Sequence, residues 1–446
     1  MASDLLSIAA SGAKAARAAL DVTSQNIANA STEGYVRRSA SLEEVAGSGS
    51  IGRIGDISLS GVRVAGITRN ADAFRQAEVR RTGSDLSRAD AELSGLEDVQ
   101  SALEQSNLYD SITGFEASLS QLAQDPTDGS LRAAAIEATR SMADTFNLAS
   151  QGLDAAGSGL QFEAADGVAN VNTLAAELAR TNLRLSRAAD AGSDRATLLD
   201  QRDQLLKQMS DIAGIATTFS PTDGTVQVQL GDAGGPVLVN GGNAATLSST
   251  TAADGTLSFD VGGSAVALSS GSLAGQGLAL ARIAQVRTDL DGLAASVTTT
   301  VNAAQANGAA LDGSAGQPLL SGTTAATIAL ATGDGGAIAT APAGSPAGSR
   351  DTGNLAAMRS ALSAADPAGG MDAILFGVSS TVAARTTTRD ALSAIAGTAT
   401  AALSAQAGVD LDAEAANLVR FQQAFQANGR VMQVASTLFD TMLSIK

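Results

Sequence analysis

"NIANASTEGYVRR", residues 26–38, interrupts a regular amphipathic pattern with asparagines, a glycine and a tyrosine, and then adds two arginines. Asn26 and Asn29 can hydrogen-bond to nearby backbone and so compete with a helix. Gly34 can adopt positive φ, and the stretch therefore predicts a helix end followed by a turn. We expect Tyr35 to pack its ring while its hydroxyl stays in water.

The two arginines of this stretch admit two interpretations. Arg37 and Arg38 pair with acidic groups on a neighbouring subunit, or they are ordinary solvated side chains that follow a helix stop. The sequence favours neither interpretation over the other.

The residues before the break follow the heptad rhythm of a helix that faces a partner helix. Over residues 4–28 the apolar stripe advances by alternating steps of three and four, through Leu6, Ala9, Ala13, Ala16, Leu20, Thr23 and Ile27. A second stripe beside it contains Leu5, Ile8, Gly12, Ala15, Ala19 and Val22. Two adjacent stripes of mostly small side chains predict close neighbours on more than one side.

The C-terminal end has the same rhythm. Its stripe contains Leu411, Glu414, Leu418, Phe421, Phe425, Asn428, Met432, Ala435, Phe439 and Met442. Asp410 is the predicted N-cap of this helix, and acidic residues in its first turn favour the positive end of the helix dipole. Asn428 either sets the register of a helix pair, as buried asparagines do in coiled coils, or faces water.

The composition excludes most chemistry. The chain of 446 residues has no Cys, His or Trp, which removes the usual nucleophiles, metal ligands and proton shuttles. A net charge of −17 disfavours nucleic acid and anionic membranes as partners. We predict neither enzymatic activity nor a cofactor or metal site. We expect no membrane-spanning run and no cleaved signal peptide.

The interior predicts a helix bundle and a smaller β-rich part. Further heptad-like stretches begin at Leu86, Val171, Leu198 and Ile283, as long antiparallel helices require. Alternation in TVQVQL (225–230) and LSFDV (257–261) predicts a β-rich insert over residues 217–272. Residues 308–353, rich in Gly, Ala, Ser and Thr, are predicted to be loops.

Two motifs that suggest chemistry have better structural explanations. GSGSIG (47–52) has the spacing of a dinucleotide-binding loop, but an extended segment follows it where that site needs a helix. The acidic clusters of residues 200–204 and 410–414 lie on or at the start of predicted helices. Capping and salt bridges account for both clusters.

The two ends of the chain resemble the terminal signatures of flagellar rod, hook and hook-associated proteins. The resemblance is carried by MASDLLSIAASGAKAARAALDVTSQNIANASTEGYVRR at the N-terminus and GVDLDAEAANLVRFQQAFQANGRVMQVASTLFDTML at the C-terminus. Residues 113–147, 198–215 and 301–320 are similar to the hook-associated protein 1 (FlgK) family. The similarity is weakest over residues 217–272 and 321–353.

The resemblance implies a structural subunit of the bacterial flagellum at the hook–filament junction, in a ring of about eleven copies. Its partners would be further copies of itself, the hook protein, hook-associated protein 3 and an export chaperone at the C-terminal region. Its location would be extracellular, after export by the flagellar type III pathway. The alternative within this class is a hook-like or flagellin-like subunit; a hydrolase or an adhesin in the β-rich insert would be a different class.

The predicted fold is mainly α with a small β-rich insert. It is an elongated multidomain axial protein with N- and C-terminal helices paired as a coiled coil, a long antiparallel helix bundle and an outer β domain. The predicted domains are residues 1–40 with 408–446 for the coiled coil, 41–216 with 273–407 for the bundle, and 217–272 for the outer domain.

We predict that the terminal stripes and the break form an assembly interface. Its residues are Leu6, Ala9, Ala13, Ala16, Leu20, Ile27, Asn29, Gly34, Tyr35, Leu411, Leu418, Phe421, Phe425, Asn428, Met432, Phe439 and Met442. Each helix has few apolar side chains to offset the entropy of ordering its backbone. We therefore expect the terminal helices to be loose in the free subunit and ordered in the assembly.

Overall fold

The computed structural model describes residues 2–32, 34–46, 59–188 and 192–444. Its α-helices are α1 (Ala2–Ala28), α2 (Ala73–Ser106), α3 (Leu108–Leu122), α4 (Gly129–Leu185), α5 (Ser193–Ile212), α6 (Ser272–Ala306), α7 (Gly353–Ala365), α8 (Pro367–Ala407) and α9 (Leu411–Ser444). The predicted terminal helices and the helical stretches of the interior are confirmed.

The strands are short apart from the first two. They are β1 (Arg38–Ala46), β2 (Leu59–Arg69), β3 (Ile215–Phe219), β4 (Val226–Leu230), β5 (Val237–Asn240), β6 (Asn243–Ala244), β7 (Leu247–Thr251), β8 (Leu257–Val261), β9 (Ser264–Val266), β10 (Gly308–Ala309), β11 (Leu320–Ser321), β12 (Ala329–Leu330) and β13 (Ala341–Pro342). The fold is mainly α with a β-rich part, as predicted.

The chain forms two compact units. Unit 1 contains Met1–Ser84, Asn170–Leu247 and Ser393–Lys446, and unit 2 contains Asp85–Ala169 and Ser248–Leu392. The strands of the predicted insert are divided between them, since the antiparallel sheet β3–β4–β5–β6 lies in unit 1 and strands β8 and β9 lie in unit 2. The division into three domains stays a prediction.

Unit 1 brings the two ends of the chain together. Helix α1 packs against α9 and against the antiparallel pair β1 and β2. Strand β4 has the expected alternation, with Val226, Val228 and Leu230 buried and the glutamines between them less so.

Unit 2 has a continuous apolar core. Helices α3, α4 and α6 supply Phe115, Phe146 and Val286, and α7 and α8 supply Met358 and Met371; all five side chains are buried. The loop segment that precedes α7 is held by Arg132 of α4. The guanidinium of this buried arginine donates to the carbonyl oxygens of Gly335 and Ile338 at 2.9 Å.

The segment Gly353–Thr441 contains an 18-residue window with a mean hydropathy of 1.2, of which 11% is buried. Length and composition alone are weak evidence for a membrane span. Three separate helices, α7, α8 and α9, divide this segment.

Candidate assembly interface

The break after α1 is organised by one buried side chain. Asn26 is only 1% exposed, and its amide pairs with both backbone groups of Arg38: Oδ1 accepts from the Arg38 N–H at 3.0 Å and Nδ2 donates to the Arg38 carbonyl at 2.8 Å. The Tyr35 hydroxyl donates to the same Oδ1 at 2.9 Å. Gly34 has the predicted positive φ, 78°. Asn29 donates to the Gln25 carbonyl at 2.9 Å, the local backbone bond that we expected.

The prediction that the Tyr35 hydroxyl stays in water is wrong. The oxygen of the buried Asn26 amide can accept two hydrogen bonds, and the Tyr35 hydroxyl supplies the second one beside the Arg38 N–H. Burial raises the pKa of Tyr35, and the nearby charge of Arg38, whose guanidinium carbon lies 5.0 Å from the ring centre, opposes that rise.

Both interpretations of the arginine pair are wrong within the described residues, because each arginine is bound inside its own chain. Nε of Arg37 lies 2.7 Å from Oε1 of Glu414, which is 1% exposed. The Arg37 N–H also donates to the carbonyl of Ala407 at 2.9 Å. Glu414 follows Arg37 by 377 residues, so this pair ties the two ends of the chain together.

The guanidinium of Arg38 belongs to a buried cluster of ion pairs around two aspartates of α5. Its Nη2 lies 2.7 Å from Asp200, and Arg69 of β2 bonds both Asp200 and Asp203 at 2.7 and 2.8 Å. Arg202 pairs with Asp203 at 2.6 Å. Burial raises the pKa of Asp200, while the charges and hydrogen bonds of Arg69 and Arg38 act against that rise. The acidic residues of 200–204 therefore form salt bridges, as predicted.

Asp410 caps α9 as predicted. Its carboxylate accepts from the backbone N–H groups of Asp412 and Ala413 at 3.0 and 3.2 Å. Asp72 caps α2 in the same way, through Phe74 and Arg75. The GSGSIG motif lies outside the described residues.

Helices α1 and α9 make a close contact where Gly12 meets Asn428. A Cβ atom on Gly12 would lie 2.6 Å from Oδ1 of Asn428, which is closer than real side chains approach. Nδ2 of Asn428 donates to the Ala424 carbonyl at 2.9 Å. Because Arg37, beyond the end of α1, meets Glu414 at the start of α9, the two helices run antiparallel.

The predicted interface residues divide by burial. In α1, Ala9, Ala13 and Ala16 are buried, Leu20 and Ile27 are half-buried, and Leu6 is 45% exposed. In α9, Leu418, Phe421, Asn428 and Met432 are half-buried, while Leu411, Phe425 and Phe439 are exposed. The side chain of Met442 lies outside those described. The small residues are therefore buried where α1 packs against its neighbours, whereas large apolar side chains remain exposed in the single chain.

The predicted interface does not include four residues that make contacts here: Gly12, Asn26, Arg37 and Glu414. A signal existed for two of them. Gly12 stands in the second stripe of α1, and Glu414 occupies an otherwise apolar stripe position of α9, where a buried carboxylate requires a cation.

Several large apolar side chains are exposed towards the free end of α9. Val431, Val434, Leu438 and Phe439 are 45 to 60% exposed there. At the adjoining end of α1, Leu5 and Ile8 are also exposed. Among the described residues no group of three or more acidic, His or Cys side chains is placed to hold a metal ion.

Three family models match the chain. The helical domain of flagellar hook-associated protein FlgK matches residues 93–320. The flagella basal body rod protein family matches residues 6–35, and the C-terminal family of the flagellar basal body rod FlgEFG proteins matches residues 403–445. These last two matches fall on α1 with its break and on α9.

Individual relatives have the same name. Flagellar hook-associated protein 1 of Salmonella typhimurium is 30% identical over 251 residues, which is 55% of this chain and 44% of that protein. The protein of that name in Bacillus subtilis is 27% identical over 233 residues, 49% of this chain and 46% of the relative. The chain spans about half the length of the curated relatives it matches.

A solved structure is also similar. The flagellar hook junction protein FlgK from Burkholderia pseudomallei has a TM-score of 0.49 and 23% identity, over 55% of this chain and 46% of the other. The family model of the FlgK helical domain covers half of this chain, and the chain therefore belongs to the FlgK family of flagellar hook-associated proteins.

Proposed function

We propose that this protein is a structural subunit of the junction between flagellar hook and filament. The observation that carries the proposal is the pair α1 and α9, which pack against each other through small residues and leave large apolar side chains uncovered. Exposed apolar side chains do not stabilise a monomer, whereas neighbouring subunits in a tube would bury these side chains. The relatives named hook-associated protein 1 support the choice of the junction.

The proposed assembly is a ring of about eleven copies, with subunits related by rotation and joined through unlike surfaces. The hook protein and hook-associated protein 3 are the proposed axial neighbours. An export chaperone would cover the apolar face of α9 before secretion through the flagellar type III pathway, after which the protein lies outside the cell. The role is structural and needs no catalytic group.

A deletion strain tests this function. Loss of the gene should leave hooks without filaments and release flagellin into the medium, and the wild-type chain should restore filaments. Two variants are then expressed in the deletion strain. One is the double variant Val434→Ser with Leu438→Ser on the exposed face of α9, and the other is the control Thr398→Ser on α8. The control should restore filaments and the double variant should not. Intact filaments in the deletion strain would overturn the proposed function.

A further inference from the structure

A groove in unit 1 lies at the base of the paired terminal helices. It has a volume of about 550 Å³ and lies between the turn after α1, the start of α2, α5 and the end of α8. Its apolar wall includes Val36, Val79 and Leu403. The groove is large enough to hold several large side chains of a partner, and its apolar wall would favour apolar ones.

One charged group in this groove lacks a partner. Arg80 is 7% exposed, lines the groove, and makes no side-chain hydrogen bond to any described residue. Its guanidinium lies 5.9 Å from the ring centre of Phe219, and burial lowers its pKa. Asp203, whose charge acts on Arg80 and opposes that lowering, is already bonded to Arg69 and Arg202. A carboxylate brought by a partner would compensate this buried cation.

The free end of α9 has the apolar side chains and the carboxylate that would complement the apolar wall and the cation of the groove. Leu438 and Phe439 are exposed apolar side chains, and Asp440 beside them is an exposed carboxylate. That end cannot reach the groove of its own chain. Val409, two residues before α9, lines the groove, and Phe439 is about 42 Å along the helix from Leu411 at 1.5 Å per residue.

We propose that the groove of one copy receives the free end of α9 from a second copy, with Asp440 of the incoming helix bonded to Arg80. This inference rests on the proposed structural role and names the surfaces that would join subunits. Each copy carries both surfaces, so the contact can repeat head-to-tail from one copy to the next. A tube or ring is built from contacts of this kind.

Charge reversal in the full-length chain tests the pairing. Arg80→Glu and Asp440→Arg should each weaken self-association about tenfold, measured by sedimentation at low salt. An equimolar mixture of the two variants should regain it, because each groove then meets a tip of opposite charge. Exposed Arg17→Glu serves as a control for the change in net charge. Loss in both variants without recovery in the mixture would overturn the proposed pair.

Cysteine cross-linking provides a second measurement without any change in charge. The natural chain has no cysteine, so Ser404→Cys in the groove and Thr437→Cys near the tip introduce the only thiols. The double variant should give a ladder of oligomers on oxidation, while either single variant gives at most dimers. A wild-type chain that stays monomeric, or a groove cysteine that cross-links in isolated flagella only to a different flagellar protein, would overturn a second copy as the occupant. Filaments in an Arg80→Glu strain, combined with their absence in the deletion strain, would reject this contact and leave the proposed function intact.

Discussion

The side chain of Asn428 fills the space that the missing Cβ of Gly12 leaves on the facing helix. Of the two alternatives for Asn428, this contact favours a role in the register of the helix pair over a side chain that faces water. The amide of Asn428 bonds back to Ala424 of its own helix and presents a compact surface to α1. A glycine is required opposite, and this pairing fixes how far α1 can slide along α9.

We predict that Gly12→Leu separates the terminal helices. The larger side chain would overpack the contact at a cost of about 1–3 kcal/mol, more than the small gain in helix propensity. Hydrogen exchange of the α1 amides in the full chain should speed up accordingly. Asn428→Ala in the same chain should restore part of the protection, because it removes the atoms that clash. Equal exchange in Gly12→Leu and the wild type would contradict the close contact.

The ion pair between Arg37 and Glu414 predicts an asymmetry between its two single variants. Arg37→Gln leaves a buried carboxylate without its cation, whereas Glu414→Gln leaves an arginine that is 35% exposed and remains hydrated. We expect Arg37→Gln to destabilise unit 1 by about 2 kcal/mol, below the 3–5 kcal/mol typical of fully buried pairs, and Glu414→Gln to cost less.

Tyrosine fluorescence can measure this asymmetry. The chain has two tyrosines and no tryptophan, so a Tyr109→Phe background leaves Tyr35 as the single reporter, in the turn next to Arg37. Urea unfolding followed at Tyr35 gives the free energy for each variant. The double variant should cost less than the sum of the single variants, because the two side chains interact. Strict additivity would show that the pair contributes nothing.

The terminal helices could be predicted from the sequence and the contacts that join them could not. A heptad stripe indicates within a few residues both that a helix forms and which of its faces is buried, and this local pattern predicts α1 and α9. The cap at Asp410 is equally local, because it is predicted from the residue just before the stripe. Asn26 bonds Arg38 twelve residues away, and Arg37 meets Glu414 at a separation of 377 residues. Such pairings depend on how the chain folds back on itself, which composition and periodicity do not encode. The sequence therefore predicts a neighbour or solvent as the surroundings of the two arginines, whereas their partners lie in the same chain.

Asn26 is predicted to be the most sensitive polar residue of the break. Asn26→Ala removes three hydrogen bonds and leaves both backbone groups of Arg38 without partners, at a cost of about 3 kcal/mol. Tyr35→Phe removes one of the three bonds and should cost about 1 kcal/mol. Limited proteolysis within residues 26–38 of the full chain provides the measurement, with rapid cleavage expected in Asn26→Ala. Equal cleavage in the two variants would refute the central role of the asparagine.

The turn between β3 and β4 predicts a dependence on pH. Hydrogen bonds from Ser220 and Thr225 hold the pKa of Asp223 below its usual range. A carboxyl with a lowered pKa in the folded state stabilises the fold above the unfolded pKa of about 3.9, and this stabilisation is lost as the pH falls through the lower folded value. Asp223→Asn should therefore lower the urea midpoint at pH 6 and have little effect at pH 3. A difference that grows towards acid would contradict the assignment.

The terminal helices are predicted to be loosely ordered in the free chain. Helix α6 buries Val286, Leu290 and Val301 completely, whereas α9 leaves most of its large apolar side chains exposed. Local opening requires less free energy where few apolar contacts are lost. We therefore expect amides of residues 5–28 and 411–441 to exchange much faster than those of α6 in the free chain, and to become protected in isolated junctions. Protection equal to that of α6 in the free chain would mean that the ends fold without neighbours, and the coupling of folding to assembly would then be wrong.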